Sequence, residues 1–143
     1  LPVLPVYGAR TRLQPVYVGD VAQVVARLVE DPSLAGREWA LGGPDILTMK
    51  QIYQWVLHTT QRSRPLFEVP PVLARIQSAI FERLPGSILT RDQLLMLSQD
   101  IVPAGQPGFA ELGVTPQSID AVVPFYLTRY RAGGGRSGIR VEK

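Results

Sequence analysis

The side chains best suited to holding a charged ligand in this chain are its arginines. Of fifteen basic residues all but Lys50 and Lys143 are arginine, and Arg10 and Arg12 stand just before the run "LQPVYVGDVAQVV". A guanidinium presents a planar fork of donors that matches a carboxylate or a phosphate, so either could hold an anion at the mouth of a strand. Solvated loop charge is the plainer reading of each one taken alone. Asp20 is the carboxylate closest to them that could do acid–base work. It also sits where a helix N-cap belongs, ahead of Val21, Val24, Val25, Leu28 and Val29 at spacings of three and four, and the cap is the reading we favour. A phosphate cradle would want several glycines and no negative charge, whereas this joint reads Val18-Gly19-Asp20.

The other reactive residue types do not assemble into a catalytic set. His58 is the only histidine, and neither a second histidine nor a close carboxylate pair completes a metal site around it. There is no cysteine, which excludes disulfides, thiolate catalysis and thiolate-bound metals and is compatible with a reducing compartment. Ser63, Ser78, Ser87, Ser98 and Ser118 lie in no nucleophile-elbow context. Gly133, Gly135 and Gly138 spell a GxGxxG pattern, but it follows a helix rather than a strand and only five residues remain after it. Residues 132–143 therefore read as a flexible tail. No catalytic residue and no metal ligand is expected in this chain.

Several elements must position these side chains. Residues 15–18 and 37–41 have strand composition, and Leu66 to Val69 form a third candidate strand that stops at Pro70-Pro71. Helices are expected from Asp20 to Asp31-Pro32, from a Thr48 cap to about Thr60, from Pro71 to residue 84, from the capping-box sequence at Thr90 to about Gln99, and from Thr115-Pro116 onward, with Pro124 kinking the last. The fold class is α/β, or α+β in isolation: few short strands and five or six helices. Three strands cannot cover the apolar faces of so many helices, so part of the sheet they were made to cover is expected to be missing. The chain opens on Leu1-Pro2-Val3 without an initiator methionine or a signal-peptide pattern, and so reads as cut from something longer.

The totals narrow the partners. A chain of 143 residues can bury one real core, and 45% apolar against 19% charged residues suits a globular body. The formal charge is +3, of which Arg136, Arg140 and Lys143 against Glu142 place +2 in the tail, so the body is nearly neutral and no nucleic-acid groove is expected. Val72, Leu73, Ile76, Ile80 and Leu84 share a helix face, with Arg75 and Arg83 nearby. A core helix is the favoured reading of that stripe; a helix lying on a membrane surface or a membrane-bound partner is the alternative.

Four stretches then assemble in order: "RLQPVYVGDVAQVV", "GREWALGGPDILTMKQIYQWVL", "LTRDQLLML" and "ELGVTPQSIDAVVPFYLTRYR". Together, across residues 1–131, they resemble the C-terminal portion of an extended short-chain dehydrogenase/reductase, of the NAD-dependent epimerase/dehydratase kind. More narrowly, they are similar to the atypical branch that includes the nucleotide-binding accessory subunit of respiratory complex I and its bacterial relatives. The resemblance implies an N-terminal Rossmann half upstream that carries the glycine-rich loop, binds NADP or NAD and, in active members, bears a Tyr-x-x-x-Lys pair. Here no tyrosine is followed four residues later by lysine, so no cofactor is expected on this chain alone.

In sugar-nucleotide epimerases of the wider family, an arginine just before the Val-x-Asp strand contacts the substrate diphosphate. That position is Leu13 here, with Arg12 one place off, which weakens a sugar-nucleotide reading. Arg12, Gln14 and Tyr17, with Arg91 more distant, are the candidate substrate-binding residues. The function expected is the cleft-forming, partner-docking portion of a complex I-associated NAD(P)-binding protein, structural rather than catalytic. The alternatives are the substrate-binding part of an active epimerase, dehydratase or reductase, and a free-standing interaction module. Such a portion is expected to expose apolar helix faces and self-associate. The expected location is the cytoplasm, peripheral to the inner membrane.

Overall fold

The computed structural model describes residues 2–81, 91–103 and 108–131. Among them, helices and short strands alternate through the first half and helices dominate the second, as the α/β expectation requires. Strand β1 (Leu4–Val6) pairs in parallel with β4 (Leu66–Glu68), Leu4 opposite Leu66 and Val6 opposite Glu68. The ladder is extended at both ends, where the Leu4 N–H donates to the Pro65 carbonyl and the Val69 N–H to the Val6 carbonyl, both at 3.0 Å. β2 (Arg12–Leu13) pairs antiparallel with β3 (Leu47–Thr48), and its other edge meets Ile101 through an isolated parallel bridge.

Helix α1 (Val18–Glu30) carries the principal core on one face. Val24 is buried with Phe109 and Leu112, and Leu28, Leu34, Trp39, Leu41 and Val114 close around them. The apolar stripe read from the sequence is wider than this face: Val25 and Val29 are exposed, because the 34–41 and 109–114 segments cover only the Val24 side. Residues 37–41 were expected to be a strand. They have no ladder partner among the described residues and instead serve as a packing segment through Trp39 and Leu41.

The strand expected at residues 15–18 is also displaced. Pro15 has no N–H to give a ladder, so the paired residues lie three positions earlier at Arg12–Leu13, and Val18 already belongs to α1. The N-cap of α1 is Tyr17, with no side-chain cap bond, so Asp20 is not the cap. It lies within the first turn, where its charge still faces the positive end of the helix dipole.

Helix α2 (Met49–Thr59) begins as its sequence specifies, with a complete capping box: Thr48 Oγ1 accepts from the Gln51 N–H while the Gln51 side chain accepts from the Thr48 N–H. Helix α3 (Pro71–Phe81) starts at the second proline, as expected. Its buried positions are Ala74 and Ser78, whereas Val72, Leu73, Ile76 and Ile80 are all more than half exposed. The apolar stripe thus points away from the core, which corrects the core-helix reading. Across from the turn after β1, the Tyr7 hydroxyl donates to Gln77 Oε1 of α3 at 2.8 Å.

Helix α4 (Arg91–Met96) runs on through turn-like bonds to Gln99. Helix α5 (Ile119–Leu127) is capped by Ser118, whose Oγ accepts from the Ala121 N–H, three residues later than the Thr115-Pro116 start expected. Pro124 sits inside α5, and its carbonyl accepts from the Thr128 N–H. The end of the helix expected through residue 84, the Thr90 cap and the Gly133–Gly138 pattern lie outside the described residues.

Candidate functional site

The segment from Gly8 to Asp20 threads the structure and is held along its length by residues distant in sequence. Gly8 begins it in a left-handed turn (φ +57°), with its carbonyl accepting from the Thr11 N–H at 2.9 Å. A Cβ at Gly8 would stand 2.7 Å from the Leu97 carbonyl oxygen, so only glycine fits this turn against the end of α4. Thr11, itself buried, donates its hydroxyl to that same Leu97 carbonyl.

Arg12 makes the next tie. Its backbone N–H donates to Asp100 Oδ1 and its Nε to Oδ2, each at 2.8 Å, with Nη2 also 2.8 Å from Oδ2. The Arg12 backbone and side-chain bonds hold the Asp100 carboxyl below the ordinary aspartate range. Both side chains are exposed, so this is a wet ion pair of low intrinsic worth, kept in register by the Ile101 N–H donating to the Arg12 carbonyl.

Gln14 turns inward. Its Nε2 donates to the Gly43 carbonyl at 2.6 Å, and its side chain lies over Gly42. Gly43 is buried against the chain just beyond, where an added Cβ would fall 1.8 Å from the Pro15 carbonyl oxygen. The Gly42-Gly43-Pro44 stretch, read from sequence as a strand terminator, thus permits a close backbone approach to Pro15.

Tyr17 packs over Gly19, with its hydroxyl beside that of Tyr126 on α5. The neighbouring Tyr126 hydroxyl above all, with some desolvation and the Asp20 charge, raises the Tyr17 phenol above its ordinary value. Asp20 makes a further tie. Its buried carboxylate accepts from the Gln117 backbone N–H at 2.7 Å and from Gln117 Nε2 at 3.2 Å.

Of the four candidate ligand contacts, Arg12, Gln14 and Tyr17 share this segment but engage three different neighbours. Arg91 stands apart, on a cavity of about 460 Å³ between the Gly8 turn, α3 and α4. That cavity was missed from sequence, because its walls come from three separated stretches whose convergence no local pattern announces. The one sequence signal was Gly8, a glycine in a turn. Among the described residues no group of three or more histidine, aspartate and glutamate side chains could hold a metal ion, and no helix is long and apolar enough to cross a membrane.

No protein-family model matches the chain. Over 147 residues it is 29% identical to NADH dehydrogenase (ubiquinone) 1 alpha subcomplex subunit 9, mitochondrial, of Arabidopsis thaliana, an alignment covering 95% of this chain and 37% of that protein. It is 26% identical over 126 residues to the Mus musculus protein of the same name, covering 87% of this chain and 33% of that one. A third relative, the NADH-ubiquinone oxidoreductase 40 kDa subunit, mitochondrial, of Neurospora crassa, is 26% identical over 132 residues, 91% of this chain and 35% of its own. The chain therefore spans about a third of the length of the curated relatives it matches. The resemblance read from the four motifs is borne out: these homologues are subunits of the respiratory NADH dehydrogenase.

Proposed function

We propose that this chain is the cleft-forming and partner-docking portion of a protein associated with respiratory complex I, and that its role there is structural rather than catalytic. The observation that carries this reading is the near-complete coverage of the chain by three such subunits from a plant, a mammal and a fungus. The exposed apolar faces of α3 and α5 support it, since docking onto a large assembly requires surface of that kind. The epimerase, dehydratase or reductase alternative is not favoured, because the relatives named above are respiratory subunits.

Within this reading the whole protein pairs these residues with a Rossmann half that binds NADP or NAD, with the segment carrying Arg12, Gln14 and Tyr17 beside its cleft and Arg91 on the separate cavity against α3 and α4. The exposure of the Arg12 guanidinium supports a ligand-facing place for that residue. Equal affinity of full-length wild type and Arg12→Ala for an anionic nucleotide would remove it. The location proposed is peripheral to the inner membrane, on its cytoplasmic face.

The direct test is affinity purification of the full-length protein from detergent-solubilised membranes of its source. Co-elution of NADH:ubiquinone oxidoreductase subunits in constant ratio is the expected result. Recovery free of them, together with an intact Tyr-x-x-x-Lys pair and turnover of a nicotinamide cofactor, would replace the structural role with an enzymatic one.

A further inference from the structure

The close of α2 builds another hollow, away from the Gly8 turn. The Arg62 N–H donates to the Leu57 carbonyl at 2.9 Å and the Gln61 N–H to the His58 carbonyl at 3.0 Å, with Gln61 in the left-handed region (φ +54°). This paired closure turns the chain back beside the helix it has just left. Arg62, Ser63 and Arg64 then line, with Lys50, Gln54 and Leu57 of α2, an open hollow of about 390 Å³.

The charges in it do not cancel. Lys50 is answered by Glu68, whose Oε1 lies 2.6 Å from its Nζ. Arg62 uses its Nε on a neutral acceptor, the Tyr130 carbonyl at 3.2 Å, and so brings in the turn Thr128–Tyr130 with a further cation, Arg129. The Arg64 side chain has no hydrogen bond or ion pair among the described residues, and no aspartate or glutamate among them lines the hollow. Two guanidinium charges therefore stand there with no carboxylate from the described residues upon them.

A carboxylate brings a single charge on two oxygens and would answer one of the two forks. A phosphate monoester carries about −1.5 to −2 near neutral pH on three terminal oxygens, so it can meet both at once. The Ser63 hydroxyl and the Gln54 amide offer neutral donors beside it, and Leu57 and Leu66 give the organic part of the ester an apolar rest. We propose that this hollow binds the phosphate of an organic phosphate monoester between Arg62 and Arg64. The inference stands apart from the association with complex I, and neither depends on the other.

Amide-resolved NMR titration of the chain with phenyl phosphate tests it. Saturating shifts are expected at Ser63, Arg64 and Leu66, and phenylacetate should bind about tenfold more weakly. Arg62→Gln and Arg64→Gln should each weaken phenyl phosphate binding about tenfold, with part of the loss recovered in Arg64→Lys. Arg64 is exposed, so its variants should keep the wild-type amide spectrum elsewhere. Arg37→Gln, at an exposed arginine outside the hollow, should bind as the wild type does.

Flotation with phosphatidylcholine vesicles containing phosphatidic acid separates the two sources of such a group. Retention that phenyl phosphate reverses and Arg64→Gln abolishes would assign the ligand to a lipid headgroup; phenyl phosphate binding without retention would assign it to a soluble ester. Absence of saturable phenyl phosphate binding would overturn the proposal. Equal affinity for phenylacetate would do the same, since the hollow would then suit an acidic protein segment. So would binding indifferent to both arginines, or a loss in Arg37→Gln as large as that in Arg64→Gln, which would mark diffuse surface charge.

Discussion

Asp20 and Gln117 stand 97 residues apart in sequence, yet both Asp20 carboxylate oxygens accept from Gln117, one from its backbone N–H at 2.7 Å and one from its side-chain amide at 3.2 Å. The pair fastens the first turn of α1 to the approach of α5. Asp20→Ala would leave the Gln117 N–H without its acceptor and is expected to destabilise the fold by about 2–3 kcal/mol. Asp20→Asn keeps one acceptor oxygen and should lose less than half of that. Urea denaturation of the two variants measures the difference, and equal losses would show that Asp20 acts through its charge alone, since asparagine keeps its shape.

The Arg12–Asp100 pair gives a dependence on acid. Because the Asp100 carboxyl is depressed in the folded state, its contribution to stability is complete above the ordinary aspartate pKa of about 3.9. It is lost as pH falls through the lower folded value. Carboxyl-carbon NMR should place the Asp100 midpoint below about 3.9 in the wild type and return it towards that value in Arg12→Ala. An unmoved midpoint would mean that the guanidinium does not engage it in solution.

At the alkaline end the sign reverses. Tyr17 is raised in the folded state, so the neutral phenol contributes stability below its unfolded pKa of about 10, and that contribution is lost as pH climbs through the folded value. Absorbance titration should show one tyrosine ionising later than the others, and Tyr126→Phe should bring it back towards about 10. If the late component survives in Tyr126→Phe but disappears in Tyr17→Phe, the Tyr126 hydroxyl is not its cause.

The outward apolar stripe of α3 predicts association. Leu73 and Ile76 are each more than half exposed, and a contiguous patch of that kind is normally covered in an assembly. Sedimentation of the chain should reveal species larger than one copy, and Leu73→Ser with Ile76→Ser should shift the distribution to the monomer. A wild-type chain that sediments only as a monomer would count against the idea.

Where a structural decision is local, the sequence shows it. Thr48 and Gln51 form their capping box within four residues, and β4 ends ahead of Pro70-Pro71, where Pro71 has no N–H to carry the ladder past Val69. Decisions that depend on a distant partner were hidden. β1 reads Leu4-Pro5-Val6, a poor strand by composition, and becomes one only because β4 arrives beside it. Asp20 has every attribute of a cap until Gln117 is seen to claim both of its oxygens.

The same limit applies to the site. Arg12 was visible by residue type and Gln14 and Tyr17 through the family resemblance, but Asp100, Gly43 and Tyr126 lie too far along the chain for spacing to link them. The stripe on α3 was read correctly as apolar and shared by one face. Which way it turned depended on where the Gly8 turn and α4 lie, and they stand on the side of Ala74 and Ser78.

The parallel pairing of β1 with β4 sets an order of assembly. A parallel pair cannot close through a hairpin, so residues 4–6 meet residues 66–68 only after α1, α2 and the segments between them have been gathered in. α2, with its own capping box, needs no such gathering. Pulse-labelled amide exchange during refolding should therefore protect the α2 amides before the Leu4 and Val69 amides that flank the sheet, making that small ladder the slow step of the fold.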